Sequence, residues 1–290
     1  MSQIELLKAP DVVISADAEV GEGPVFDPRT GKLVWVDITR GEMFQDDLET
    51  GLQARTKLDT LIGAVAPRAA ERGFAAAVSD GFGLIVDDAL TVVDPVLPEP
   101  YRRMNDAKVD SRGRMWAGST HMEFTPGVGA LHRWDGHAPS ATVATGFILP
   151  NGLGWDADDS VMYLVDSFGY SLLSAPYDAD DGAVGDFRRI AAIDSGLPDG
   201  LAVDVDGFVW VAVWGGSEVR RYSPAGELVA TVPMPVTQPS SCAFGADGTL
   251  YITSARAGLT EDDIAVQPLA GSVFALATNT RGVAVAPFAA

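Results

Sequence analysis

The sequence predicts an all-β fold, a six-bladed β-propeller made of four-stranded antiparallel blades. In residues 197–214 (LPDGLAVDVDGFVWVAVW), apolar residues alternate with others between clusters of Gly and Asp. This pattern is typical of antiparallel strands joined by tight turns. The unit returns about every 39–47 residues along the chain, which is the period of a propeller blade.

One aromatic residue in the second strand of each unit marks the repeats. These aromatic anchors are Trp35, Phe74, Trp116, Tyr163, Trp210 and Tyr251. Six anchors predict six blades. A β-sandwich with regular turns is the alternative, but a sandwich gives no reason for one aromatic residue to return at a near-constant interval.

The units differ in regularity along the chain. The second, residues 62–93, is the least regular, and the third carries a Gly- and Pro-rich insertion, residues 123–129, that could cover one end of the ring. An open ring would leave unpaired strand edges. Residues 12–14 and 282–288 are therefore the candidates to complete a blade and close the ring.

Composition predicts a single domain over residues 1–290, without a linker or a composition shift. Hydrophobic residues make up 47% of the chain, but no apolar run is long enough to span a membrane. The N-terminus lacks the features of a signal peptide, and the single cysteine rules out an internal disulfide, so we expect a cytoplasmic protein. A net charge of −20 disfavours nucleic acids and anionic membranes as partners. A monomer and a small homo-oligomer are both open.

Four units begin with a polar residue that is followed five residues later by an aspartate. These lead residues are Glu22, Asn105, Asn151 and Asp199, and the later aspartates are Asp27, Asp110, Asp156 and Asp204. We expect the later aspartates to cap backbone amides in turns. Because the first strand of each propeller blade lines the central channel, we expect the lead residues to converge at one mouth of that channel.

Two carboxylates and two amides around one centre offer the oxygen ligands that a hard divalent cation prefers. Without a cation, the two carboxylates would repel each other. Capping of backbone groups at the blade starts is the alternative role for these four residues. Their shared repeat phase, with a glutamate among them, favours the metal.

With these residues the chain resembles the regucalcin/gluconolactonase family of six-bladed propellers. The resemblance runs from Glu22 to Phe274, with the blocks in family order and spacing. The main blocks are GEGPVFD, RMNDAKVDSRGRMWAGS, NGLGWD, YLVDSFGYSL, PDGLAVDVDGFVWVAVWGG and PSSCAFG.

The resemblance implies a metal-dependent lactone hydrolase. Glu22, Asn151 and Asp199 match the protein ligands of one divalent ion, whose identity (Ca, Mg, Mn, Zn or Fe(II)) is open. Asp199 also matches the residue proposed as general base. The positions that match contacts to the sugar lactone or to water are Arg103, Asn105 and Glu123.

The expected activity is that of a carboxylic-ester hydrolase, which converts a sugar-acid lactone such as gluconolactone, xylonolactone or arabinonolactone into the aldonic acid. The ion would stabilise the developing oxyanion, and Asp199 would take a proton from the attacking water. A phosphotriesterase or broad esterase on the same scaffold is one alternative, and a non-catalytic calcium-binding regulatory protein is another. Lys108 alternates onto a strand face and receives no role.

Overall fold

The computed structural model describes residues 4–97 and 101–290, and it confirms the six-bladed β-propeller. Six antiparallel sheets surround one axis, and each has its first strand innermost. Every innermost strand lies against the innermost strands of the two neighbouring blades. Because the sixth contacts the first in the same way, the ring is closed.

In each blade the chain runs from the innermost strand outwards and then enters the next blade. The N-terminal strands are β1 (Glu5–Leu6) and β2 (Asp11–Ile14). Blade one is β3 (Gly21–Asp27), β4 (Lys32–Asp37), β5 (Glu42–Asp47) and β6 (Gln53–Lys57); blade two is β7 (Ile62–Pro67), β8 (Phe74–Val78), β9 (Gly81–Val86) and β10 (Ala89–Asp94). Blade three is β11 (Arg102–Val109), β12 (Met115–His121), β13 (Gly129–Trp134) and β14 (Ala141–Phe147).

Blade four has a divided outer strand, because residues 185–187 interrupt it. It is β15 (Pro150–Trp155), β16 (Val161–Asp166) and β17 (Ser171–Asp178), with β18 (Ala183–Val184) and β19 (Arg188–Ala192) both pairing with β17. Blade five is β20 (Leu197–Val203), β21 (Val209–Trp214), β22 (Glu218–Tyr222) and β23 (Leu228–Pro233). Blade six is β24 (Pro239–Phe244), β25 (Thr249–Ser254) and β26 (Val273–Ala277), with the short helix α1 (Glu261–Val266) between the last two.

Both ends of the chain secure the ring. Strand β2 pairs antiparallel with β26 and supplies the fourth strand of blade six, which confirms the prediction for residues 12–14. Strand β1 pairs in parallel with β23, so that blade five gains a fifth strand. The N-terminal part of the chain thus completes the last blade, because β2 covers the outer edge of β26.

The prediction that residues 282–288 complete a blade is wrong. This segment crosses the channel at the end where the innermost strands finish. There Val283 N donates to Val203 O (2.9 Å) and Phe288 N donates to Pro67 O (2.8 Å). Strand β2 already occupies the outer edge of blade six, whereas the strand ends at this face still offer backbone acceptors. The Phe288 ring is fully buried and stacks on Trp134, with 4.8 Å between ring centroids.

The turn aspartates have the structural role predicted for them. In blade five, Asp204 accepts hydrogen bonds from the backbone N–H groups of Asp206 and Phe208 in its turn. Its other carboxylate oxygen accepts a bond from the indole of Trp210 at 3.0 Å. The same bond recurs in blade three between Asp110 and the indole of another aromatic anchor (2.7 Å). In these two blades the aspartate and the aromatic anchor therefore form one buried contact.

No helix in the described ranges is long and apolar enough to cross a bilayer. Helix α1 is one short stretch, and it begins with a capping box in which the side chains and backbone groups of Thr260 and Asp263 bond reciprocally.

The C-terminal crossing predicts a large stability effect at Phe288. Phe288→Ala leaves a cavity between blades two and three, where Phe82 and Trp134 continue the ring stack. We expect the free energy of unfolding to fall by about 3–5 kcal/mol, measured by denaturant titration. The matched control is Val285→Ala in the same segment, where the side chain is partly exposed and the loss should stay below about 1 kcal/mol. Equal effects of the two substitutions would contradict a structural role for this crossing.

Candidate functional site at the mouth of the central channel

The lead residues lie at one mouth of the channel because the innermost strands bulge there. In blade three two residues, Asn105 and Asp106, lie opposite the single residue Gly118. Blades four and five have the same two-to-one irregularity at Asn151 and Asp199, and in blade one it falls one residue later. A bulge bends its strand and re-aims the side chains next to it.

Glycines allow neighbouring innermost strands to approach closely at this level. A Cβ atom at Gly63 would lie 2.1 Å from the carbonyl oxygen of Asn105, and one at Gly152 would lie 2.3 Å from Leu201 N. At Gly200 a Cβ atom would collide with a serine of blade six. Side chains at these positions would widen the ring, so glycine keeps the lead residues within reach of one another.

Asn151 and Asp199 are in direct contact. The amide nitrogen of Asn151 donates to Asp199 Oδ1 and, at 3.0 Å, to Ser167 Oγ. Within residues 4–97 and 101–290, no donor is paired with the amide oxygen of Asn151. The hydrogen bonds thus hold the amide by its nitrogen and leave its oxygen as a potential ligand.

Glu22 completes a group of buried carboxylates. Its Oε2 accepts a hydrogen bond from Gly23 N at 2.7 Å. Burial, followed by the charges of Asp199 and Asp106, raises the pKa of the Glu22 carboxyl well above its usual value. Burial and the charge of Asp106 likewise raise the pKa of Asp199, although the bond from Asn151 opposes that shift. Negative charge is therefore concentrated here in a place where water does not screen it.

Asp106 is a site residue that the sequence analysis missed. It is buried, accepts a hydrogen bond from Ala107 N at 2.7 Å, and acts on both Glu22 and Asp199. Its place in the repeat could have identified it, since four other units have glycine directly after the lead position. A carboxylate in a position that otherwise favours glycine is a signal for function.

Arg103 and Asn105 form a second pair beside the carboxylates. Arg103 Nη1 donates to Asn105 Oδ1 at 2.6 Å, and the Asn105 amide nitrogen donates to Pro150 O at 3.1 Å. Burial lowers the pKa of the Arg103 guanidinium, and the charges of Asp199 and Glu22 oppose this shift. The guanidinium thus lies within electrostatic range of both carboxylates.

Glu123 lies apart from this group. It is exposed on the β12–β13 loop, and among the described residues it hydrogen-bonds through its backbone N–H alone, to His121 Nδ1 at 3.1 Å. The loop is nevertheless tied to the site, because the ring of Phe124 packs on Phe168 with 4.6 Å between centroids. Phe168 directly follows Ser167, the hydroxyl partner of Asn151.

Cys242 carries no sign of nucleophilic chemistry. Its thiol is buried and donates to Trp210 O at 3.4 Å, and burial raises its pKa to about 12. At neutral pH this cysteine is therefore a thiol packed in the core between blades five and six.

The donor set fits a divalent cation. Two carboxylates and an amide oxygen are hard oxygen ligands, and burial together with neighbouring carboxylates raises the pKa values of Glu22 and Asp199. A divalent cation would remove that electrostatic cost.

Comparisons with known proteins agree with the fold and with these motifs. A family model described as SMP-30/Gluconolactonase/LRE-like region matches residues 20–256. The chain is 34% identical over 289 residues to YvrE of Bacillus subtilis, which carries a provisional assignment as a sugar lactone lactonase; the match covers 96% of this chain and 99% of that protein. It is also 34% identical over 276 residues to regucalcin of Danio rerio, covering 91% and 92% of the two chains.

A solved structure of a calcium-binding regucalcin from Agrobacterium tumefaciens has the same fold. It superposes with a TM-score of 0.91 at 26% identity, over 99% of each chain. The family expected from the sequence motifs is thereby confirmed, and the chain belongs to the SMP-30/gluconolactonase/LRE-like family.

Proposed function

We propose that this protein hydrolyses a sugar-acid lactone to the aldonic acid in a reaction that depends on a divalent metal ion. The observation that carries the proposal is the convergence of the buried, mutually repelling carboxylates of Glu22 and Asp199 with the amide of Asn151 at one channel mouth. Family membership supports the lactonase chemistry. Calcium binding by a regucalcin of the same fold supports the ion.

Glu22, Asn151 and Asp199 would hold the ion. When bound, such an ion supplies a positive charge that favours negative charge on the lactone carbonyl oxygen. The hydrogen bonds from the Asn151 amide nitrogen to Ser167 and Asp199 fix the amide group and leave its oxygen available to the ion. Asp106 would not bind the ion, but its charge adds to the negative potential at Glu22 and Asp199.

Asp199 acts as the general base. Its carboxylate takes a proton from the attacking water as the water oxygen bonds to the lactone carbonyl carbon. The ring C–O bond then breaks, and the leaving oxygen takes up a proton to become a hydroxyl of the open-chain acid. One water molecule is consumed for each lactone opened.

Arg103, Asn105 and Glu123 would bind the sugar hydroxyls. Arg103 and Asn105 hold each other through a 2.6 Å bond, so both polar groups are fixed before the substrate arrives. Glu123 is exposed on its loop and would reach the substrate from above. Polar contacts of this kind suit a polyol better than an acyl chain.

The proposal is tested by acid release from a panel of aldonolactones, phosphotriesters and simple aryl esters. Protein stripped with a chelator is assayed before and after addition of Ca²⁺, Mg²⁺, Mn²⁺ or Zn²⁺. We expect turnover of aldonolactones that is restored by metal. Turnover of phosphotriesters or aryl esters alone would indicate a phosphotriesterase or an esterase instead of a lactonase. Calcium binding without turnover of any substrate would indicate a non-catalytic calcium-binding protein.

Asp199→Asn should distinguish the role of Asp199 as general base from its role as metal ligand. The variant keeps one ligand oxygen and loses charge and basicity, so we expect weaker metal binding and, at saturating metal, a kcat about 10²–10⁴-fold lower. Stopped-flow acid release and calorimetry measure the two effects. The matched control is Asp206→Asn, an exposed aspartate in the next turn of blade five, which should behave as the parent. Near-normal turnover by metal-saturated Asp199→Asn would remove the base from the mechanism.

Glu123→Ala should weaken the lactone contact and leave the ion untouched. We expect kcat/KM for the preferred aldonolactone to fall by about tenfold, as for the loss of one hydrogen bond to a sugar hydroxyl. Metal affinity from calorimetry should stay the same. Glu227→Ala, another exposed glutamate, is the control. A collapse of metal binding in Glu123→Ala would make Glu123 a ligand and overturn this division of roles.

Metal affinity should fall as the pH is lowered. Because the pKa values of Glu22 and Asp199 are raised, protons compete for these carboxylates at higher pH than for ordinary carboxyl groups, and a metal must displace them. Calorimetry from about pH 8 down to about pH 5.5, in buffers of different ionisation enthalpy, reports affinity and released protons together. Glu22→Gln removes one competing site and should flatten the profile. An affinity independent of pH in the parent protein would contradict these carboxylates as ligands.

A further inference from the structure

Lys108 extends into the central channel beneath the lead residues. It lies on β11 three residues after Asn105, and its ammonium nitrogen donates to the carbonyl oxygen of Leu201 at 2.7 Å. Because Leu201 belongs to β20 of blade five, the side chain crosses the channel from one blade to another. The hydrogen bond therefore holds the backbone two residues after Asp199.

The space around Lys108 is a cavity of about 500 Å³. Its walls are mostly apolar, with Val25, Val65 and Val203 among them, and Asp106 and Lys108 bring charge to its lining. An ammonium group is costly in such surroundings unless carboxylates lie close to it. Its position therefore calls for an electrostatic reason.

The carboxylates above the cavity provide that reason. Burial lowers the pKa of Lys108, while the charges of Asp106 and Glu22 act in the opposite direction. In return, Lys108 is the charge that opposes the effect of burial on Asp106. Lys108 and Asp106 thus stabilise each other's charged forms.

We propose that Lys108 is a positioning residue of this site, which holds the β20 backbone behind Asp199 and balances the buried carboxylates when no metal ion is bound. The second part rests on the metal dependence proposed above. Lys108 touches neither substrate nor ion in this scheme, and it acts through Leu201 and through its charge.

The charges of the site predict the direction in which loss of Lys108 changes metal affinity. The carboxylates of Glu22, Asp106 and Asp199 face the cations Arg103 and Lys108, so the ionised site has one net negative charge. A divalent ion would convert it to one net positive charge. Without Lys108, the metal-free site would carry two negative charges and the metal-bound site would be neutral. Loss of Lys108 should therefore destabilise the metal-free protein and tighten metal binding.

Lys108→Met and Lys108→Arg test both parts. Methionine removes the charge and the donor at similar volume, whereas arginine keeps both. The control is Lys8→Met, since Lys8 is exposed and makes a surface ion pair. Melting temperatures are measured in chelator and in saturating Ca²⁺ or Mn²⁺, dissociation constants of these metals by calorimetry, and kcat and KM on the lactone that the panel identifies.

We expect Lys108→Met to melt about 4–10 °C lower than the parent in chelator and to bind the metal about tenfold more tightly. Its kcat should fall about tenfold or more with little change in KM, because the backbone behind Asp199 is released. Lys108→Arg should recover most of the chelator melting temperature and the parent metal affinity.

Metal binding by Lys108→Met that is equal to or weaker than that of the parent would overturn the charge balance. An unchanged kcat would overturn the positioning role. Failure of the proposed function has a different signature: if the parent binds no divalent ion, the comparison of Lys108→Met with Lys108→Arg in chelator still decides whether the lysine stabilises the carboxylates. If Lys108→Met fails to fold while Lys108→Arg folds, the result supports the stabilising charge.

Discussion

The close approach of six strands around one axis is the constraint on which this site depends. Where the strands come nearest, Gly63 and Gly152 leave space for the backbones of the next blades. Any polar side chain that points inward at this level must therefore meet the others, whatever its own preference. Glu22 and Asp199 are forced into a common buried volume, and their raised pKa values record the cost of that arrangement. A cation at this point is the physical complement of the fold's geometry.

Two cations on β11 offset part of this electrostatic cost, and they lie at different depths of the channel. Arg103 lies beside the lead residues and is fixed by Asn105, whereas Lys108 approaches from the cavity beneath them. Neither cation fully offsets the effect of burial and of the neighbouring carboxylates, so the pKa values of Glu22 and Asp199 stay raised. A site left slightly negative in this way would attract the proposed divalent ion, while the cations reduce the repulsion among the buried acids.

The repeats of the sequence were sufficient to predict the blades and the convergence of the lead residues, because both follow from the phase of the repeat. In blades three and five the turn aspartate and the aromatic anchor occur together because a hydrogen bond joins them, as it joins Asp204 to Trp210. Features outside the repeat escaped prediction. Asp106 replaces a residue that is glycine in most units, and residues 282–288 bond to strand ends because β2 already occupies the outer edge of blade six. The position of Glu123 depends on loop packing, for which periodicity holds no information.

Two aspartates five residues apart in blade five show how one residue type can serve both structure and the proposed chemistry. Asp204 lies in a turn, where backbone N–H groups, an indole and the guanidinium of Arg221 all donate to it. Its lone pairs are used within the fold, and it has little capacity left for a ligand. Asp199, five residues earlier, receives a bond from Asn151 and faces other carboxylates. The number of donors around each carboxylate, which the tertiary structure alone reveals, separates the capped aspartate from the one available to a metal ion and to a proton.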